Sequence, residues 1–336
     1  MRLVIVGFGI VGQSFARLLL SRSADLYTQH GIKPRIVACA DKGGAVTDPG
    51  GLDLRRLVEA KKGMGTVGAY ETARTNFDAL QIIEKVDAEV MLECTPTDLG
   101  NAEPATSHIT AAMRSGKHVI SVNKGPLALA FPSLIELANY NGVIFRFSGT
   151  VGGGTPILEF AKRCLKGDRI LSFRGILNGT TNYILTSMDG GLTYESALKD
   201  ATEKGYAETD PSLDVNGLDA AAKLVIMANW VMGMKVTIKD VDCTGIVNVC
   251  LSDVKKAALR GNSIKLLAVC DNRRLYVAPT EVAKTDPICV NGTLNAVTFS
   301  SEHSGQQTII GKGAGGMETA SAVLRDLIEI RDASFS

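Results

Sequence analysis

The sequence has no CxxC pair, no HExxH or comparable histidine spacing, and no apolar run near the ~20 residues that span a bilayer. Each absence closes off a class of protein. Seven cysteines (Cys39, Cys94, Cys164, Cys243, Cys250, Cys270, Cys289), odd in number and scattered, indicate neither a disulfide framework nor a thiolate zinc site, and they suit a reducing cytoplasm. The four histidines, His30, His108, His118 and His303, offer no transition-metal site. The apolar segment from Leu224 to Met234 is broken by Asn229 and Gly233, and the apolar start from Leu3 to Val11 lacks a small-x-small cleavage site, so the chain reads as soluble without a membrane partner or a signal peptide. Charge of one sign is missing too. The 36 Lys+Arg against 35 Asp+Glu give +1 with no like-charged block, which excludes an electrostatic grip on nucleic acid. The expected partner is a small molecule.

What is present is a large apolar content, 45% of 336 residues, in a chain long enough for two domains. Residues 1–147 alternate short β-branched runs with amphipathic stretches, the pattern of parallel strands and crossover helices. Strands are expected at 3–6, 36–40, 89–93, 118–122 and 143–147, with helices at 12–27, 52–61, 104–115 and 133–140. That is an α/β, doubly wound parallel sheet. The rhythm changes at 148, and residues 148–310 read as an α+β domain, with strands at 170–176 and 275–282 and helices at 194–204 and 218–232. Residues 311–336 join a glycine-rich loop to an amphipathic helix (Ala320, Val323, Leu324, Leu327, Ile328) suited to packing back on the first domain.

Gly7-Phe8-Gly9-Ile10-Val11-Gly12 follows the first strand and opens the first helix. In that setting the glycines allow a tight turn, close approach to a pyrophosphate and close helix packing, with the phosphates at the helix N-terminus. The first domain is therefore read as Rossmann-type and dinucleotide-binding. Asp41 ends the second strand, further past Gly12 than the ~20 residues usual for a ribose-binding acid, and the long first helix accounts for the excess. A carboxylate there accepts both ribose hydroxyls and repels the extra phosphate of NADP, whereas Lys42 attracts it; NAD is mildly favoured. The alternative for Asp41 is a solvated turn residue before Gly43-Gly44. Thr95-Pro96-Thr97 and Asn123-Lys124-Gly125-Pro126 fall at the carboxyl ends of their strands, where such folds bind ligands, so Lys124 is a candidate to face nicotinamide and substrate, or else an ordinary solvated lysine. Cys94, at the same edge, lacks the paired histidine that an activated thiol needs.

In the second half, the segment from Gly205 to Asp219 is dense in carboxylates, and Asp219 and Lys223 stand four apart on an otherwise apolar helix. Charges on a buried face are costly unless paired or employed. The two readings are a structural ion pair, and a site that holds an amino-acid ammonium beside a proton donor. The turn from Val151 to Thr155 can offer backbone carbonyls to a hard cation, or serve as a hinge.

GFGIVG, VNKG, TVGGGTP, LNGTTNYI (Leu177 to Ile184), GYAETDPSLDVNGLDAAAK and GKGAGGMETASAV together resemble the homoserine dehydrogenase family nearly end to end. The resemblance implies NAD(P)-dependent interconversion of L-aspartate 4-semialdehyde and L-homoserine, in threonine, methionine and isoleucine biosynthesis. It implies dinucleotide contacts at Gly9, Ile10, Val11, Gly12, Thr95 and Lys124, with Gly205 and Gly315 near the cofactor. Substrate contacts are implied for Glu208, Asp214 and Asp219, with Lys223 as proton donor and Lys124 as a second catalytic lysine. A sodium or potassium ion is implied at Val151, Gly153 and Thr155, although Ser148 stands where a glutamate usually precedes that turn. A homodimer joined through the second domain, and a monofunctional enzyme without a C-terminal regulatory domain, are also implied. Two rival readings are a phosphorylating semialdehyde dehydrogenase using Cys94 and a nucleotide-sensing module in which Asp219 and Lys223 are structural.

Overall fold

The computed structural model describes residues 1–271 and 274–334. The chain divides into two compact units, Met1–Thr150 with the segment from Gly315 onward, and Val151–Ala314. In the first, strands β1 (Arg2–Val6), β2 (Arg35–Asp41), β3 (Gly44–Thr47), β4 (Arg74–Thr75), β5 (Val90–Glu93), β6 (His118–Ser121) and β7 (Phe145–Arg146) form one sheet of order β4-β3-β2-β1-β5-β6-β7. β2, β1, β5, β6 and β7 run parallel, and β3 and β4 add an antiparallel edge. Leu3, Val4 and Ile5, like Val90, Met91 and Leu92, are fully buried, because strands covered on both faces need continuous apolar runs. Helices α1 (Ile10–His30), α2 (Leu54–Met64), α3 (Ala79–Lys85), α4 (Ala105–Arg114) and α5 (Gly125–Tyr140) complete the unit, together with the C-terminal helix Gly316–Ser334. That last helix buries Ala320, Val323, Leu324, Leu327 and Ile330 in the core that holds Phe15, Leu19 and Leu26 of α1. The winding reverses between β1 and β5, so the carboxyl ends of these two strands flank a crevice of the kind that binds ligands.

In the second unit, β8 (Ile170–Ile176), β9 (Asp242–Cys243), β10 (Asn262–Asp271), β11 (Arg274–Ala283), β12 (Leu294–Ser301) and β13 (Gly305–Lys312) form a sheet of order β13-β12-β8-β10-β11-β9. It is antiparallel except where β9 joins β11. Its helices are α6 (Ile157–Glu159), which runs into a π-helical turn over Phe160–Cys164, then α7 (Gly179–Asp189), α8 (Tyr194–Glu203), α9 (Ser212–Val215), α10 (Leu218–Met232) and α11 (Leu251–Leu259).

β8 and α10 have the bounds expected from the sequence. Two differences have physical causes. α5 starts at Gly125 rather than 133: Pro126 sits at its first positions, where proline is tolerated, and Pro132 kinks the helix, with Ala130 at φ −141°, instead of opening it. β13 runs to Lys312, so Gly311 belongs to a strand paired with Asn295 and not to a loop; a Cβ there would meet Thr155 Oγ1 at 2.1 Å. β3, β10 and β12 and helices α3, α7 and α11 also lie outside the expected elements. Among the described residues no helix is long and apolar enough to cross a membrane.

Candidate active site

The turn from β1 into α1 divides its glycines by task. Gly7 has φ 91°, and a Cβ on it would lie 2.5 Å from the Cys94 carbonyl; on Gly12 a Cβ would meet the Gly7 carbonyl oxygen at 2.8 Å. Both glycines are therefore required by the protein's own packing. Gly9 is different. It is exposed, a Cβ there meets nothing within 4 Å, and as N-cap of α1 it supplies no side-chain cap, so the first N–H groups of the helix face outward unused by side chains. Open space before uncapped amides fits a pyrophosphate. Ile10 beside it is exposed and Val11 half-buried.

At the carboxyl ends of β5 and β6, two loops are laced together. Fully buried Glu93 accepts through Oε1 from the Thr95 N–H (2.7 Å) and the Thr95 hydroxyl, and its Oε2 pairs with His108 Nδ1 at 2.8 Å. Asn123 Nδ2 donates to the carbonyls of Thr95 (3.1 Å) and Pro96 (2.9 Å). Lys124 is the N-cap of α5, half-buried, with its backbone N–H 3.4 Å from Thr97 Oγ1. The structure thus brings Thr95 and Lys124 to adjoining loops. At Cys94, desolvation, then the Glu93 charge, pushes the thiol well above its ordinary value, which disfavours the thiolate a nucleophile needs.

Asp41 is engaged within the first unit at the end of β2. Its Oδ2 accepts from Lys61 Nζ (2.6 Å) and the Val67 N–H (3.0 Å), and Oδ1 from Thr66 Oγ1 (2.8 Å) and the Gly43 N–H (2.9 Å). Burial works to raise its carboxyl, but these bonds outweigh it and hold it below its ordinary value. Gly43 is a neighbour in sequence, but the other three partners come from α2 and the segment after it, which local pattern did not reveal.

In the second unit, α10 begins right after Gly217, whose φ of 84° suits glycine and where a Cβ would press on Cys243 Sγ at 3.0 Å. Asp219 sits in the first turn, where a carboxylate is favoured by the helix dipole. One turn on, buried Lys223 donates from Nζ to Asp219 Oδ2 and to the Leu177 carbonyl, each at 2.7 Å. Asn178 Nδ2 donates to Asp214 Oδ1 (2.6 Å) and Asp219 Oδ2 (2.9 Å), completing a cluster of two carboxylates and one ammonium. Burial first, then the charge of Asp219, raises the Asp214 carboxyl. Among the described residues two of the three Lys223 N–H bonds are engaged, which leaves one for an outside oxygen. A cluster with one carboxylate in excess also favours an added cation, such as a substrate ammonium.

Glu208 lies exposed on the segment between α8 and α9 and takes no part in these bonds. Gly205, exposed with φ 73°, closes α8 through its N–H to the Thr202 carbonyl. Gly315 has φ 133° and its missing Cβ leaves room for the Glu318 carboxylate. Asn178 was not singled out in the sequence, although it stands before a helical run inside LNGTTNYI, the position of an N-cap. A cavity of about 870 Å³ lies at the other end of α10, lined by Lys162, Arg169, Met232 and Met234 among others; none of the cluster's residues lines it.

At the turn that follows, Val151 is fully buried and Gly153 has φ 54°, while the Thr155 hydroxyl donates to the Lys312 carbonyl (3.2 Å). In the first unit, Ser148 donates through its N–H (2.9 Å) and hydroxyl to buried Asp326. Among the described residues no group of three or more His, Cys, Asp or Glu side chains is placed to hold a metal.

Comparison with known proteins agrees with this chemistry. Residues 7–148 match the family model described as homoserine dehydrogenase, NAD binding domain, and residues 156–328 the one described as homoserine dehydrogenase. The chain is 45% identical to a homoserine dehydrogenase of Methanocaldococcus jannaschii, over 98% of each protein, and 38% identical to an NAD(+)-dependent homoserine dehydrogenase of Pseudomonas canavaninivorans, over 99% of this chain and 97% of that one. A putative homoserine dehydrogenase from Archaeoglobus fulgidus superposes with a TM-score of 0.90 at 38% identity, covering 98% of this chain and 99% of that one. A hyperthermophilic archaeal homoserine dehydrogenase in complex with NADPH superposes with a TM-score of 0.87 at 26% identity, covering 99% and 98%. With a nucleotide cradle in one unit and a carboxylate–lysine cluster in the other, the chain belongs to the homoserine dehydrogenases, NAD(P)-dependent oxidoreductases that interconvert L-aspartate 4-semialdehyde and L-homoserine.

Proposed function

We propose that Lys223 is the proton donor and acceptor at the substrate oxygen. The observation that supports this is its buried ammonium, fixed between the Asp219 carboxylate and the Leu177 carbonyl with one N–H left over. The nicotinamide supplies or takes the hydride when bound. Asp214 and Asp219, with Glu208 reaching in from its exposed segment, hold the substrate ammonium. Lys124 and Thr95 contact the nicotinamide end, with Lys124 the second catalytic lysine; Gly9, Ile10, Val11 and Gly12 hold the pyrophosphate, and Gly205 and Gly315 border the cofactor. Lys223→Ala, folded by circular dichroism, is expected to lose turnover in the oxidation of L-homoserine followed at the reduced-nicotinamide band. Retention of most turnover overturns the assignment.

For the cofactor we propose a mild preference for NAD. It is supported by the engagement of Lys61 with Asp41, which draws that lysine away from a 2′-phosphate. A monovalent cation at the turn containing Val151, Gly153 and Thr155 is supported by one orphaned group. Both polar atoms of buried Asn295 make no hydrogen bond among the described residues; its amide lies against Gly313, whose backbone approaches Gly153. An oxygen-seeking ion among carbonyls would answer the Oδ1 of that amide. A thermal melting point that rises with sodium or potassium but not with choline checks it. The oligomer we propose is a homodimer joined through the second unit, and a monomer mass in sedimentation equilibrium overturns it.

A further inference from the structure

We propose that Asn178 is a positioning residue that clamps Asp214 to Asp219 and thereby sets the oxygen on which Lys223 is held. The proposal deepens the reading of Lys223 as proton donor and rests on it.

The orientation of one amide is decisive. Asn178 lies between the end of β8 and the start of α7, is 5% exposed, and is the N-cap of α7. Its Oδ1 accepts from the Thr181 N–H (2.8 Å) and the Thr181 hydroxyl (3.0 Å). Because the helix end takes the oxygen, the amide cannot flip, and both of its N–H bonds must point the other way. There they meet two carboxylates, one hydrogen for each.

Asp219 Oδ2 accepts from Asn178 and from Lys223 together, so the amide draws on the same oxygen that pairs with the ammonium. The residue before Asn178 contributes as well, since the Leu177 carbonyl accepts the second Lys223 hydrogen. Two adjacent residues at a strand-to-helix corner therefore fix both partners of Lys223. Gly179 keeps the corner tight, for a Cβ there would meet the Thr293 carbonyl at 2.8 Å. Without the amide, Asp214 would keep the Thr180 hydroxyl but would face Asp219 in a poorly solvated place, with Lys223 paired to Asp219. The titratable groups facing the amide are Asp214 from α9 and Asp219 and Lys223 from α10.

The same geometry provides a test that separates fold from function. Ser and Asp are both good N-caps, so Asn178→Ser and Asn178→Asp each keep an acceptor for the Thr181 N–H while removing the two donors. Asn178→Ser is expected to lower kcat/KM for L-homoserine on the order of 10- to 100-fold, the loss typical of charge-assisted hydrogen bonds. Asn178→Asp, which puts a third carboxylate in the cluster, is expected to lose more. In both variants the acid limb of kcat/KM against pH moves to higher pH, because carboxylates without their donors keep a proton longer. The dissociation constant for NAD, measured by fluorescence titration, is unchanged. A role confined to capping α7 predicts a lowered melting temperature in Asn178→Ala only, and wild-type kcat/KM and pH limb in the two capped variants; that result overturns the proposal. If Asn178→Ser melts early, Asn178→Asp decides by the same readouts. Lys223→Ala is run alongside: if it retains turnover, the proton-donor reading fails, whereas full loss there with wild-type Asn178 variants sinks the clamp alone.

Discussion

Each unit contains a lysine–aspartate ion pair of similar length and burial: Lys61–Asp41 at 2.6 Å in the first, Lys223–Asp219 at 2.7 Å in the second. They differ in what is left over. Asp41 receives four donors from its own surroundings, and its carboxyl is held below its ordinary value. Asp219 shares its oxygen between Lys223 and Asn178, with Asp214 beside it pushed upward by burial and by Asp219. One pair fills its carboxylate at a strand end; the other leaves a net negative charge, while each ammonium keeps one N–H beyond the two it donates among the described residues. An ion pair by itself therefore says little about function, and the unsatisfied remainder around it says more.

The comparison breaks most sharply under the same substitution at the two lysines. Lys223→Ala is expected to lower kcat on the order of 10³-fold, whereas Lys61→Ala costs about 1–3 kcal/mol in urea unfolding and keeps kcat at saturating NAD. Comparable losses of turnover in both would erase the distinction. A smaller effect follows from releasing Lys61: Asp41→Asn is expected to raise the ratio of NADP to NAD kcat/KM about 10-fold, as a freed ammonium meets the 2′-phosphate. No change in the ratio would remove Asp41 and Lys61 from cofactor choice. Gly9→Ala is expected to raise KM for the dinucleotide severalfold with an unchanged melting temperature, while Gly7→Ala lowers the melting temperature, since only its Cβ strikes the protein's own backbone.

The smallest effects are in stability against pH, and they have opposite signs. The folded-state carboxyl of Asp41 lies below its ordinary value of 3.8, so its contribution is present above that pH and is lost as pH falls through the depressed value. Asp214 lies above 3.8 when folded, so its ionised form weakens the fold, and stability is regained as pH falls from the raised value toward 3.8. Asp214→Asn is therefore expected to stabilise the protein at pH 7 by up to about 1 kcal/mol while impairing turnover. Urea unfolding at pH 7 that shows a loss instead would contradict the raised carboxyl.

Much of this was legible along the chain. α10 has its expected bounds because an apolar run between Gly217 and Gly233 leaves little choice, and the spacing of Asp219 and Lys223 places them one turn apart whatever surrounds the helix. β1 and the loop after it were equally plain, since a buried parallel strand leads directly into GFGIVG. Less legible was α5, expected only over 133–140, because Pro132 is a kink in a helix already under way. β13 was obscured by Gly311, which looks like a loop residue until Thr155 is found packed against it. Cys94 illustrates a different limit. Its place at a sheet edge was clear, but the raised thiol depends on burial and on Glu93, which are properties of the folded environment.

Local pattern along the chain set the periodicities, the glycine turn and the one-turn spacing of Asp219 and Lys223, because these depend on neighbours within a turn or two of chain. Tertiary structure alone decided that Asp41 is satisfied by Lys61, Thr66 and Val67, and that Asn178 joins Asp214 to Asp219. Hydrogen-bond partners and burial are set by which distant segments the fold brings within about 3 Å, and no local pattern encodes that distance.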